Sequence, residues 1–96
     1  MAAIELAPEV GDDFDRIIDH LLEHEVTEAS DRIEEIVNAI SVLESNPLIG
    51  RPITEGMREL IIGQRAKGYI ALYRFVSEID VVFVLAIRTQ KEAGYR

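Results

Sequence analysis

The sequence has no cysteine, no apolar run near the roughly 20 residues a membrane-spanning helix needs, and no basic start to its N-terminal MAAIELAPEV. A disulfide scaffold, thiol chemistry, a membrane span and a secretory leader are therefore not expected. The lack of cysteine also fits a reducing compartment, so the expectation is a cytoplasmic protein. No Gly/Ser-rich linker, internal repeat or low-complexity segment divides the 96 residues, which suit one domain over 1–96. Catalytic signatures are missing too: there is no G-x-S-x-G elbow, no phosphate-binding P-loop and no dinucleotide-binding glycine pattern. The two histidines, His20 and His24, share one face of a helix at i, i+4, but without a third ligand they are too few for a closed zinc site. Neither a metal nor another cofactor is expected.

Charge is present but unevenly spread. The formal net charge is −8, which by itself argues against a nucleic-acid binder. Residues 1–46 hold 13 acids against 2 arginines, whereas residues 47–96 hold 5 acids against 8 bases. The acidic half has the pattern of solvated amphipathic helices. The basic excess falls on the strand-rich half and offers a working surface.

Ala2 to Leu6 reads as an opening strand ended by Pro8, which also suits the first position of a helix. Glu9, Asp12 and Asp13 then complement the helix dipole. Val10, Phe14, Ile17, Ile18, Leu21 and Leu22 recur at helical spacing and predict an amphipathic helix from 8 to about 24. After a break in Glu25 to Ser30, a second helix runs from about Glu28 to Glu44 with Ala29, Ile33, Ile36, Val37, Ile40 and Leu43 on one stripe. Ser45, Asn46 and Pro47 stop it. Leu48 to Gly56 reads as a loop. Arg58–Ile62, Gly68–Val76 and Val81–Arg88 then read as an antiparallel three-stranded meander, followed by a polar tail with Tyr95. The expected fold is two-layer α+β: an N-terminal strand, a helical hairpin, then the meander, with the hairpin covering one sheet face.

The central strand, GYIALYRFV, sorts Tyr69, Ala71, Tyr73 and Phe75 onto one face and Ile70, Leu72, Arg74 and Val76 onto the other. Periodicity does not say which set meets the helices. Arg74 stands alone in an apolar row. An arginine placed so is either paired with an internal carboxylate such as Glu59 or reserved for a partner, and the same two outcomes hold for Arg88. With Arg58 opening the first meander strand, the three arginines could converge on one surface fit for carboxylate or phosphate. Arg65, Lys67, Lys91 and Arg96 read as ordinary surface charges.

Taken in order, the segments NPLIGRP (Asn46–Pro52), REL (Arg58–Leu60), GYIALYR (Gly68–Arg74) and EAGY (Glu92–Tyr95) resemble the RelE/ParE superfamily of toxins, and most closely its ParE-like plasmid-stabilisation branch. The resemblance spans nearly the whole chain. It implies the toxin of a type II toxin–antitoxin system, causing growth arrest, with a small antitoxin whose disordered segment folds onto it as a helix on an apolar groove and a strand at a sheet edge. A toxin dimer within the complex is compatible with this. Ile70, Leu72 and Arg74, with Arg58 and Arg88, are the candidate partner-binding residues.

The resemblance leaves two targets. RelE-type members cut messenger RNA on the ribosome with basic side chains and a C-terminal tyrosine, whereas ParE-type members inhibit DNA gyrase. Here Ile70 stands where ribonuclease members typically place an arginine, and Thr89-Gln90 stands where a second is expected. Only Tyr95, and Arg58 if it acts on phosphate, remain as catalytic candidates. The acidic first half also departs from the basic character that RNA binding favours. The expectation is a non-enzymatic gyrase inhibitor. The alternatives are a ribosome-dependent nuclease or a relic that only binds its antitoxin.

Overall fold

A computed structural model of the chain describes residues 1–24, 27, 29–63 and 68–90. In chain order the elements are β1 (Ala3–Leu6), α1 (Pro8–His24), α2 (Ala29–Val42), β2 (Arg51–Pro52), a 3-10 turn (Thr54–Gly56), β3 (Met57–Ile62), β4 (Tyr69–Val76) and β5 (Val81–Thr89). This is the two-layer α+β arrangement the sequence predicts, with one sheet and one helical hairpin.

Pro8 opens α1, and Val10, Ile17 and Leu21 bury along one stripe. Asp13 departs from expectation. It sits a turn inside the helix, where Glu9 alone is the first-turn acid, and it faces inward on the stripe with the apolar residues. On α2, Ala29, Ile36 and Ile40 are buried, and Leu43 just beyond the helix is fully so. The backbone N–H and side-chain amide of Asn46 both donate to the Val42 carbonyl, at 3.0 and 3.4 Å, so the helix end is satisfied before Pro47.

The sheet order is β1-β5-β4-β3-β2. The β3–β4–β5 meander is antiparallel as expected, whereas β1 pairs parallel with β5. The helical hairpin thus carries the chain from β1, beside the last strand, across the sheet to β2 at the opposite edge. The segment read as a loop contains β2, two residues antiparallel to β3 and too short to show any period. Leu72 and Tyr73 oppose Ala86 and Val84, so Leu85 is extra and bulges. The bulge explains why inward residues run Val82, Val84, then Ile87.

Tyr69, Ala71 and Tyr73 are buried against Val10, Ile17, Leu21, Ile36 and Ile40, with Phe75 packed at the margin. That settles which set meets the helices. Each fully buried aliphatic side chain contributes about 1.5–3 kcal/mol of burial free energy. Ile70, Leu72, Arg74 and Val76 consequently lie on the opposite face, over which no helix passes among the described residues.

Candidate functional site

The NPLIGRP segment is held by two residues from the strands. Tyr73, fully buried on β4, accepts a hydrogen bond at its hydroxyl from the Gly50 N–H at 2.8 Å. Arg58 on β3 donates through Nη1 to the carbonyls of Leu48 and Gly50, at 3.1 and 2.8 Å. Burial pushes the Tyr73 phenol above its ordinary range, against opposing contributions from the Gly50 N–H and the Arg58 charge, so it stays neutral. Only glycine fits at position 50. A Cβ there would lie 2.6 Å from the Tyr73 ring and hydroxyl and 2.9 Å from the Glu59 carbonyl. The clasp leaves Leu48 and Ile49 exposed beside β2.

The uncovered sheet face has Arg74 at its centre. Cross-strand register places Met57 on one side of it and Phe83 on the other. Leu72 sits one pair along between Glu59 and Ala86, and Ile70 lies between Ile61 and Arg88. Arg74 is exposed and makes no hydrogen bond or ion pair among the described residues. Glu59, the carboxylate named as its internal alternative, is taken by Arg51 across the β2–β3 pair. Ile70 is on this face but only 4% exposed, whereas Ile61 beside it is 47% exposed. Leu72, Val76 and Phe83 are half-buried. Among the described residues the result is an apolar strip with one free cation, which can take a carboxylate bidentately but is joined by no nucleophile paired with a base.

The three arginines do not converge on this face. Arg58 pairs in register with Tyr73 and shares its side of the sheet, opposite Arg74, because side chains alternate along the strands. Arg88 starts on Arg74's face but reaches round the edge of β5 to Asp13 on α1, at 2.6 Å. That edge is open beyond Val84 because β1 ends at Leu6. Asp13 substitutes for the missing strand: its Oδ2 accepts the Ile87 N–H at 2.9 Å, and its Oδ1 accepts from Arg16 at 3.0 Å as well as from Arg88. Burial opposes ionisation of Asp13, but the Ile87 N–H and the two guanidiniums outweigh it and hold the carboxyl below its usual value. Sequence reasoning missed this residue. Its signal was position: Asp13 sits at i+3 from Val10 and i−4 from Ile17, on the apolar stripe.

The sequence profile of the family described as ParE toxin of type II toxin-antitoxin system, parDE, matches residues 4–94. The chain belongs to the ParE toxin family. No curated protein matches it. Among solved structures it is similar to a chain from the chromosomal ParDE toxin–antitoxin system of P. aeruginosa, with a TM-score of 0.77 and 24% identity over 93% of this chain and 96% of the other. It is also similar to chains from the intact E. coli RelBE complex (TM-score 0.60, 14% identity, 93% and 96% covered) and from RelBE2 of Mycobacterium tuberculosis (0.58, 20%, 92% and 96%). These likenesses confirm the fold.

In this ParE toxin three of the segments that carried the resemblance form one structural unit, since Arg58 and Tyr73 both bond to Gly50. Arg74, the last residue of GYIALYR, stands apart from that unit with its charge unpaired. Tyr95, Arg65, Lys67, Lys91 and Arg96 lie outside the described residues. The rings of His20 and His24 are tilted against each other at 56°, with centroids 4.6 Å apart, and no group of three metal-ligating side chains occurs among the described residues. No helix among the described residues is long and apolar enough to cross a membrane.

Proposed function

We propose that this ParE toxin inhibits DNA gyrase without catalysing a reaction, and that a cognate antitoxin neutralises it by covering the face around Arg74. The observation that carries the non-enzymatic reading is the engagement of Arg58. Its guanidinium is bound to two loop carbonyls, so the one basic candidate for phosphate chemistry among the described residues serves to hold structure. Ile70, where a nuclease of this fold typically has an arginine, supports the same reading. The family match, which is to ParE, points the same way.

For the antitoxin, support comes from the open face itself. Ile61, Leu72, Val76 and Phe83 form an apolar strip around an unpaired guanidinium, which fits a segment that brings apolar side chains and one carboxylate. The neighbours named ParDE and RelBE are toxin–antitoxin systems, and an antitoxin for this chain follows by analogy with them. Gyrase supercoiling assays with the antitoxin-free toxin test the target. Inhibition at micromolar protein supports the proposal. Unaffected gyrase together with cuts in translated message moves the function to a ribosome-dependent nuclease, and neither effect leaves an antitoxin-binding role.

A further inference from the structure

On the open sheet face Arg74 of β4 lies beside Phe83 of β5, and Phe83 lies beside Glu5 of β1. Residues paired across strands share a face, so Glu5 points away from the helices as Arg74 does, about 10 Å from it at two strand spacings. Glu5 is exposed, and its carboxylate, like the Arg74 guanidinium, makes no hydrogen bond or ion pair among the described residues. Glu59, which the register also places on this face, is taken by Arg51. One free negative charge and one free positive charge therefore share a row, with an aromatic ring midway between them.

That order is its own complement under one two-fold axis. An axis parallel to β5, lying between two facing sheets above Phe83, turns the row end for end: Glu5 of each copy meets Arg74 of the other, and the two Phe83 rings meet on the axis. The row before it, Ala3, Val81 and Val76, turns in the same way and brings Ala3 against Val76. An axis along the row would instead set Glu5 on Glu5 and Arg74 on Arg74, which like charges oppose. Arg88 starts on β5, where it would meet its own counterpart near the axis, but it is drawn off the face to Asp13. The acids of α1 and α2 lie behind the sheet, on the side away from this contact.

We infer that the antitoxin-free toxin pairs with a second copy of itself through this face, each copy supplying Glu5 to the other's Arg74 across the Phe83 rings. The pairing stands on the charge order of the face and not on the antitoxin reading, but the two meet at Arg74. An antitoxin that covers Arg74 competes with the second copy, so this dimer is one that the toxin–antitoxin complex excludes. Toxin without antitoxin thereby masks its own apolar strip from solvent.

The test is sedimentation velocity on the full-length toxin freed of antitoxin, across a concentration series. Wild type should form dimers in the micromolar range. Arg74→Glu and Glu5→Arg should each weaken the dimer about tenfold or more, because each sets like charges opposite one another. Mixing the two single variants restores both pairs and should return dimers that neither forms alone, as should the double swap of Glu5→Arg with Arg74→Glu. Circular dichroism and thermal melts check that every variant folds. Wild type that stays monomeric throughout the micromolar range, single variants that dimerise as wild type does, or a mixture that stays monomeric overturns the pairing. Added antitoxin separates the two readings. Dissociation of the wild-type dimer upholds both, and antitoxin bound to an intact dimer upholds the pairing while taking the antitoxin off the Arg74 face. A monomeric wild type whose antitoxin affinity falls with Arg74→Glu overturns the pairing and upholds the antitoxin reading alone.

Discussion

Replacing Asp13 separates the two roles that its carboxylate plays. Alanine leaves the buried Ile87 N–H without an acceptor, which costs about 1–3 kcal/mol. It also removes the pairs to Arg16 and Arg88. Those arginines are 46% and 45% exposed, so solvent screening limits each pair to about 0.2–1 kcal/mol. The expected loss for Asp13→Ala is therefore about 1.5–5 kcal/mol, a large part of the roughly 5–15 kcal/mol available to such a domain. Asp13→Asn keeps an acceptor for Ile87 and loses the charge, so its loss is about 0.5–2 kcal/mol. Urea denaturation followed by circular dichroism measures both. Folding lowers the carboxyl's pKa, so its stabilisation is fully present above the unfolded-state value of about 4 and disappears as pH falls through the lower folded value. The gap between wild type and Asp13→Asn should accordingly be constant near neutral pH and close below about pH 4. An alanine variant within 0.5 kcal/mol of wild type, or a gap that does not change with pH, would refute the assignment; the 0.5 kcal/mol bound is about the usual scatter of surface substitutions.

Tyr73→Phe should lower stability by about 1–3 kcal/mol, because the Gly50 N–H is left buried without an acceptor; equilibrium unfolding that matches wild type contradicts this. Gly50→Ala should be worse than Tyr73→Phe, since the added methyl meets the Tyr73 ring and a strand carbonyl, and thermal melts rank the two directly. Arg74→Ala should weaken antitoxin binding by about 1–3 kcal/mol with no loss of folding stability, because the guanidinium has no partner in the free chain among the described residues; calorimetric titration beside a melt shows either that pattern or its reverse. Arg58→Ala should reduce stability through the loop it holds, and Tyr95→Phe should leave gyrase inhibition intact. Loss of message cleavage on changing Tyr95 would instead favour the nuclease.

The order of strand, hairpin and meander was readable because those elements are long enough to show their period and carry recognisable stops at Pro8, Asn46–Pro47 and Gly56. Their arrangement in the sheet was not. Four residues of β1 do not reveal that they pair parallel with β5, and two residues of β2 show no pattern at all. The candidate site split in the same way. Arg74 was visible as a charge in an apolar row, whereas the fate of Arg58 depended on the β3–β4 register and that of Arg88 on where β1 stops. Asp13 was hidden because an acid near a helix start has an ordinary explanation. Only tertiary structure shows that it caps a strand edge 74 residues away.

The most direct test of the account is a supercoiling assay with purified DNA gyrase and antitoxin-free toxin, run beside an in vitro translation reaction that maps cuts in the message. The expected result is inhibited supercoiling, relieved by added antitoxin, and an intact message. Normal supercoiling with codon-specific cleavage of the message would contradict it.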